Sequence, residues 1–511
     1  MCSVSRPKAA RRSIEKMEAE PLFRIAKNGA YGRLRNVQEF GRAGNAALLH
    51  HGPENLHLPE VHAHRSAVIR IRRSYVGSPK SDLCGSPPIG SMANFLGGAI
   101  VSAAYRPRPS NHLAIGDELR RDLLAWRHHL HAHPELAKHE IETSAFVRAR
   151  LGALGVPREA GIGGHGVVAT LKRGNSERSV GLRADMDALA IVEDTGLPFA
   201  SKHHGIMHAC GHDGHTASLL GAAALLVQDA DWEGTVRFIF QPAEEGGTGA
   251  LAMLGDGLFE RFDCERVFAF HNWPGLPAGT LAVRPGPMMA CSSRLRIKLI
   301  GKAAHAAMAH QGVDPVVAAS HVIMGLQGVV SRRVDPLSSA VVSITTMETG
   351  IAYNQIGESV ILQGTMRFLD PDLREAVENE VRRIVAGIAK AHSVRAEVEV
   401  RRGADPTVNA PEEAGMAMRA GEAAGLPVMT DFAPSMGGED FCWFLQQRPG
   451  ALVWIGNGPA EDGVQLHSPE YRFNDEILPA AASWLANVAK EALRAGPPKW
   501  QGKCHAGHAA G

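Results

Sequence analysis

Apolar and polar positions follow two different rhythms along this chain, with a change after Cys291. Residues 118–131 carry apolar side chains at helical spacing behind Asp117, a residue type suited to an N-cap, and Pro134 closes the run. A second helix is expected over about 140–154. Short stretches rich in β-branched residues follow at 167–171, 180–182, 236–240 and 267–270, with a helix at about 216–227 between the middle two. Strands alternating with helices predict an α/β fold on a mostly parallel sheet covered on both faces. Beyond Cys291, Leu295, Ile297 and Leu299 alternate with Arg294, Arg296 and Lys298, the pattern of a half-exposed strand over 293–300. A helix at 314–330, strands at 340–345 and 359–367, a helix at 371–392 and a strand at 395–401 complete the order β-α-β-β-α-β. That order is ferredoxin-like. Residues 292–402 therefore read as an α+β domain inserted into a larger one made of 112–291 and 403–497, with 498–511 as a tail. The larger domain resumes with a helix at 412–424, a strand at 452–455 and a helix at 479–494.

Composition narrows the class. With 45% hydrophobic and 21% charged residues in 511, the chain is globular, and collagen, coiled coil and wholesale disorder are excluded. The best apolar run, 94–105, is far short of the ~20 residues a bilayer requires, and no signal-peptide pattern precedes it. The net charge of +1 hides an asymmetry: residues 1–111 hold 17 basic and 7 acidic residues, leaving 37 and 46 for the rest. The acidic body argues against a nucleic-acid partner. The basic segment reads as a disordered extension, and an internal start at Met92 fits that reading. Seven cysteines without C-x-x-C spacing predict no disulfide framework and a cytoplasmic setting.

Chemically useful residues cluster just past the predicted strands: Asp185 and Asp187, Glu244 and Glu245, and His271. In parallel α/β sheets ligands bind beyond the carboxyl ends of the strands. The segment from His208 to His215 offers thiolate, imidazole and carboxylate donors, which zinc and manganese sites use. Gly211 permits a tight turn, so that Cys210 and His212 converge on one ion, and Asp213 suits the start of the following helix. In the Glu244-Glu245 pair, one carboxylate can ligate a metal while the other moves a proton. The run Gly161–Gly166 matches G-x-G-x-x-G, but it precedes a strand where a dinucleotide fingerprint links a strand to a helix.

Together these motifs resemble a known family. Trp126–Leu136, Asp185–Leu189, Met207–His215, Gln241–Glu245, Gly301–His310, Met436–Phe441 and Leu466–Ser468 occur in the order found in metal-dependent amidohydrolases. These include hippurate hydrolases, N-acyl-amino-acid amidohydrolases and plant indole-acetyl-amino-acid hydrolases, within the carboxypeptidase-like dinuclear metallopeptidases. The resemblance spans about 117–497. It implies a catalytic α/β domain with an inserted lid or dimerisation domain, and two divalent ions (Mn, Zn or Co) per subunit. Its metal ligands fall on Cys210, His212, Glu245, His271 and His467, with Cys210 as the bridge. It places the general acid/base on Glu244, an orienting carboxylate on Asp187, an oxyanion-stabilising lid histidine on His305, and substrate-carboxylate contacts on Asn354 and Arg367. The implied reaction is hydrolysis of an N-acyl amino acid by a homodimer. A dipeptidase, a deacylase of diaminopimelate derivatives, a metal-binding protein without catalysis and a Cys210 thiol nucleophile remain alternatives. Two positions depart from the family pattern, Ala309 before His310 and Gly357 after Ile356. Both lie in the lid, where they bear on substrate preference.

Overall fold

The computed structural model describes residues 115–350, 352–460 and 463–499. The expectations for residues 1–111 and for most of the tail lie outside that range. Among the described residues no helix is long and apolar enough to cross a membrane.

The larger sheet has eight strands. From edge to edge they are Arg158–Ile162, Gly166–Arg173, Gly234–Gln241, Ser179–Asp185, Arg266–Pro274, Gly450–Gly458, Leu281–Ala282 and Val428–Met429. Its centre is parallel: Ser179–Asp185 pairs in parallel with Gly234–Gln241 and with Arg266–Pro274, which pairs in parallel with Gly450–Gly458. Antiparallel pairs lie toward both edges. The central strands are buried on both faces, so their sequences are nearly continuous apolar runs. Helices His212–Gln228 and Leu478–Arg494 supply much of one covering layer, with Leu219, Leu220, Leu226, Trp484, Leu485 and Val488 fully buried.

The insert forms a four-stranded antiparallel sheet in the order Ala340–Thr349, Ser359–Phe368, Cys291–Ile300, Arg395–Arg402. Helices Pro315–Arg333 and Asp372–Ala391 lie between its first and second and its third and fourth strands in sequence, the ferredoxin-like order. Leu295, Ile297 and Leu299 face those helices, while Arg294 is exposed on the other face. Asp314 caps the first helix by accepting from the Val316 N–H at 2.8 Å.

One local expectation is corrected, the N-cap of the first helix, and one is met, the strand that follows the Gly161–Gly166 run. Gly116 is the N-cap of the first helix, Asp117–Ala132, and Asp117 is its first residue. Its charge acts on the helix dipole there and its side chain makes no cap bond. The Gly161–Gly166 run is a β-hairpin between Arg158–Ile162 and Gly166–Arg173, with Gly163 and Gly164 at positive φ in its turn.

A charged cluster ties the first helix to the rest. Asp213 accepts from Arg127 Nη1 at 3.1 Å and from His131 Nδ1 at 2.8 Å, and His131 Nε2 reaches Glu193 Oε1 at 3.2 Å. Burial opposes the His131 imidazolium, but the hydrogen bonds from Asp213 and Glu193 outweigh it and raise its pKa to about 9. Since the folded pKa lies above the unfolded value near 6.5, the stabilisation is complete below pH ~6.5 and disappears as pH rises through about 9. Thermal melts should show wild type losing up to ~3 kcal/mol over this interval, with a clearly shallower loss for His131→Asn. Parallel pH profiles would remove His131 from this role.

Candidate metal centre and cleft

Strand ends deliver the site. Ser179–Asp185 leads to Asp187, Gly234–Gln241 leads to Glu244 and Glu245, and Arg266–Pro274 carries His271 in its interior. Gly211, at φ +92°, turns the chain between Cys210 and the helix that begins at His212. The ligating atoms of Cys210, His212 and His271 lie within 4.8 Å of one another, and so do those of Cys210, Glu245 and His467. Cys210 belongs to both trios. The structure thus brings together all five residues that the resemblance marked as ligands.

Their orientations are set from behind. His212 Nδ1 donates to the Asp187 carbonyl at 2.9 Å and His271 Nδ1 to the Asn272 carbonyl at 2.7 Å, which turns each Nε2 toward the cluster. The Asp187 carboxylate accepts from the backbone N–H groups of Glu244 and Glu245, both at 3.0 Å. One side chain therefore fixes the backbone of both glutamates and touches His212, with Oδ1 3.4 Å from Nδ1. Ala243 and His467 occupy left-handed backbone conformations, at φ +53° and +65°. The Ala243 N–H donates to Glu140 at 2.8 Å and the His467 N–H to the Ala209 carbonyl at 2.8 Å, contacts that hold both in place.

The donors fit a divalent cation. His212 Nε2 is buried without a hydrogen-bond partner, as is Glu245 Oε1, although His467 Nε2 stands 3.2 Å from it. Burial holds the His271 imidazole neutral, with a pKa well below its usual value. Burial, then the charges of Glu245 and Glu244, push the Cys210 thiol well above its ordinary range. A thiol so placed is a poor unassisted nucleophile, and an adjacent cation would favour its thiolate. Burial, followed by Glu439, Glu245 and Asp440, likewise raises Glu244. Its Oε1 accepts from the Asp440 N–H at 3.3 Å.

Below the cluster lies an ion network to which the sequence reading assigned no roles. Arg183, 1% exposed, reaches Asp185 at 2.8 Å, Glu439 at 3.0 Å, Asp440 at 3.2 Å and Gln241 at 2.9 Å. His215 donates from Nδ1 to Asp185 at 2.6 Å. The sequence signal was a charged residue at an interior position of a buried strand, and the Met436–Phe441 motif. His208 does not join the donors. It is buried beside His131, with ring centroids 6.5 Å apart, and burial lowers its pKa to about 4.

A cavity of about 420 Å³ opens between the larger domain and the insert, with Glu244, Glu245, Asp440 and His467 on one side and Arg294 and Arg367 on the other. His305 and Asn354 do not line it. His305 is exposed, pairs with Gln355 and accepts from the Ala307 N–H at 3.1 Å; the Asn354 carbonyl accepts from the Ala306 N–H at 3.0 Å.

Gly211 gives a direct test of the turn. A Cβ there would stand 2.3 Å from Asn272 Oδ1 and 2.8 Å from the Tyr471 hydroxyl, on a backbone conformation that side chains avoid. Gly211→Ala should cost roughly 2–3 kcal/mol and lower metal content measured by atomic emission. A variant with wild-type melting and full metal would show that the turn relaxes freely.

Comparisons with known proteins agree with this geometry. Residues 181–491 match the sequence profile described as Peptidase family M20/M25/M40. The chain is 39% identical to N-acetyl-L-cysteine deacetylase of Bacillus subtilis over 73% of its own length and 89% of that protein. It is 40% identical to hippurate hydrolase of Campylobacter jejuni, over 72% and 96% respectively. Among solved structures it resembles a dinuclear metal-binding M20 peptidase of Bacillus subtilis, with a TM-score of 0.66 and 36% identity, covering 74% of this chain and 99% of that one.

Proposed function

We propose that this chain, which belongs to the peptidase family M20/M25/M40, hydrolyses the amide bond of N-acyl amino acids to a carboxylate and a free amino acid. The observation that carries this reading is the convergence of five ligand-type side chains, two of which, Glu245 and His467, line the cleft together with Glu244. Cys210, His212, Glu245, His271 and His467 would hold two divalent ions, with Cys210 shared. When bound, such ions polarise an amide carbonyl and make water a nucleophile near neutral pH.

Within that setting Glu244 accepts the proton of the attacking water and returns it to the leaving nitrogen. Its raised proton affinity suits both halves of that cycle. Asp187 is a positioning residue, since it holds the Glu244-Glu245 backbone. Arg367, on the cleft wall, is assigned to the substrate α-carboxylate and fixes which way the amide points. His305 lies on the insert away from the cleft in a single chain, so its proposed oxyanion contact requires lid closure or a second subunit; we favour a homodimer. A cytoplasmic setting fits the buried free thiols of Cys264, Cys291 and Cys442.

The test is turnover of a panel containing hippurate, N-acetylcysteine, a dipeptide and an N-acyl-diaminopimelate. Each is assayed after chelation and after addition of Mn²⁺, Zn²⁺ or Co²⁺. Chelation should abolish hydrolysis of the N-acyl amino acids and one of the metals should restore it. Activity that survives complete metal removal would discard the mechanism, and preferential cleavage of the dipeptide would replace the substrate class.

A further inference from the structure

The arginines on the insert side of the cleft exceed what one substrate carboxylate requires. Arg294, Arg367, Arg401 and Arg402 line the same cavity as Glu244, Glu245, Glu439 and Asp440. Arg402 is held by Glu378 through two contacts, at 3.1 and 3.0 Å. Arg401 pairs with Glu399 at 2.5 Å, but both side chains are largely in solvent, where such pairs are weak. Among the described residues Arg294 and Arg367 have no carboxylate partner. The acidic side of the cleft does not pair with them. It turns toward Arg183 and toward the cluster that two divalent ions would neutralise. Once those ions are bound, the cleft is left with surplus positive charge facing the substrate.

The register of the insert shows where that charge points. Arg294 lies directly across from Arg401 on one side and Thr365 on the other, and Arg367 is across from Ser292, two residues along from Arg294. Side chains alternate along strands, so these residues share the face opposite the helices. Burial, with Arg294 contributing, lowers the Arg367 pKa, an effect of placing the two guanidiniums close together. A second cavity of about 490 Å³ continues from this point over the same face. It shares Arg294, Arg367 and Arg401 with the first, and adds Arg296, Thr345, Thr346, Gln363 and one carboxylate, Glu399, which is the partner of Arg401. Its hydroxyl, amide and guanidinium groups offer partners to a polar extension of the ligand.

We propose that this second cavity is a substrate subsite in which Arg294, with Arg401, receives a second anionic group, so that the enzyme prefers N-acyl amino acids bearing two carboxylates. The proposal rests on the amidohydrolase reading above and specifies its substrate. Arg367 keeps the α-carboxylate in register while the second carboxylate, on the acyl arm or on the amino-acid side chain, reaches Arg294. A neutral isostere fills the same volume but leaves the guanidinium without a partner. Charge-assisted hydrogen bonds of this kind are worth about ten- to a hundredfold in kcat/KM. The preference should shrink with added salt, because Arg294 is exposed.

Two charge-only pairs distinguish the source of the second carboxylate: N-acetylglutamate against N-acetylglutamine, and N-succinylglycine against its terminal amide. The expected result is a kcat/KM ratio of at least ten in one pair for the metal-loaded enzyme, falling toward one in Arg294→Gln. Arg332→Gln, on the helix Pro315–Arg333 on the other side of the insert, should keep the wild-type ratio. Calorimetric binding of the same pairs to Glu244→Gln, with and without Arg294→Gln, reads the preference without turnover. Ratios near one in both pairs, or ratios that Arg294→Gln leaves intact, overturn the subsite. If the neutral compounds are cleaved with no anionic preference, the subsite fails and the amidohydrolase reading stands. If nothing in either pair or among the simple N-acyl amino acids is cleaved with any metal, the amidohydrolase reading fails, and the binding ratios still decide the role of Arg294.

Discussion

Glu244→Gln should remove turnover while leaving the metal centre loaded. The substitution keeps the size of the side chain and its place beside Asp440, whose N–H lies 3.3 Å from the carboxylate. An amide can still accept that hydrogen bond, but it cannot take a proton from water or give one to an amine. General acid/base catalysis contributes about 10²- to 10⁴-fold, and here one group serves both transfers, so kcat should fall by at least the upper part of that range. Metal content should stay near the wild-type value, because Cys210, His212, Glu245, His271 and His467 are untouched. Asp187 continues to hold the loop through both backbone N–H groups. Steady-state kinetics with metal analysis on the same sample checks this. A variant retaining more than about a tenth of the rate would assign the proton transfers elsewhere.

Arg183→Met should produce the largest loss of stability of any single change near the site. The guanidinium is the common counter-charge for Asp185, Glu439 and Asp440, all buried. Burial and Glu439 already raise Asp440 to about 7 against the pull of Arg183. Removing the cation leaves several carboxylates facing one another in a medium that solvates them poorly. Breaking a buried pair by deleting one partner costs about 3–5 kcal/mol, and this deletion breaks three contacts at once. Urea unfolding at neutral pH should show a loss at the top of that range. The penalty should decrease toward acid as the carboxylates protonate. Arg183→Lys should recover only part of it, since an ammonium cannot fork to Gln241 and two carboxylates together. An unchanged midpoint for the methionine variant would mean that the carboxylates are compensated by other groups.

Local chemistry was the legible part of this site. The turn at Gly211 between Cys210 and His212, and the two glutamates following a strand, are short-range features whose meaning depends on few neighbours. Strand and helix positions were legible for the same reason, through period-2 and period-3.6 patterns. The strand boundaries grew by one to four residues where hydrogen bonding continues past the last apolar position, as in Ala340–Thr349 and Gly450–Gly458. What was not legible is joined across long stretches of chain. Arg183 meets Glu439 across 256 residues, and no periodicity signals which acidic residues will share one guanidinium. His215 looked like a member of the donor cluster and instead steadies Asp185 behind it. The insert showed its sheet through alternation, but the arginine-lined face gained meaning only from its register.

The strand order also dictates when this protein can become active during its synthesis. Gly450–Gly458 lies in the interior of the eight-stranded sheet, between Arg266–Pro274 and the short strand Leu281–Ala282, although it is the last strand in sequence among the described residues. His467 follows it by only a few residues and closes one of the two donor trios. A nascent chain that has emerged as far as the insert therefore has an open sheet and an incomplete ligand set, however well its first helices have formed. Assembly of the hydrolytic centre waits for almost the whole polypeptide, a high-contact-order arrangement that slows folding. A ribosome stall or a nonsense codon before Gly450 would leave a fragment without this strand and without His467, so such truncated products are disarmed by topology alone.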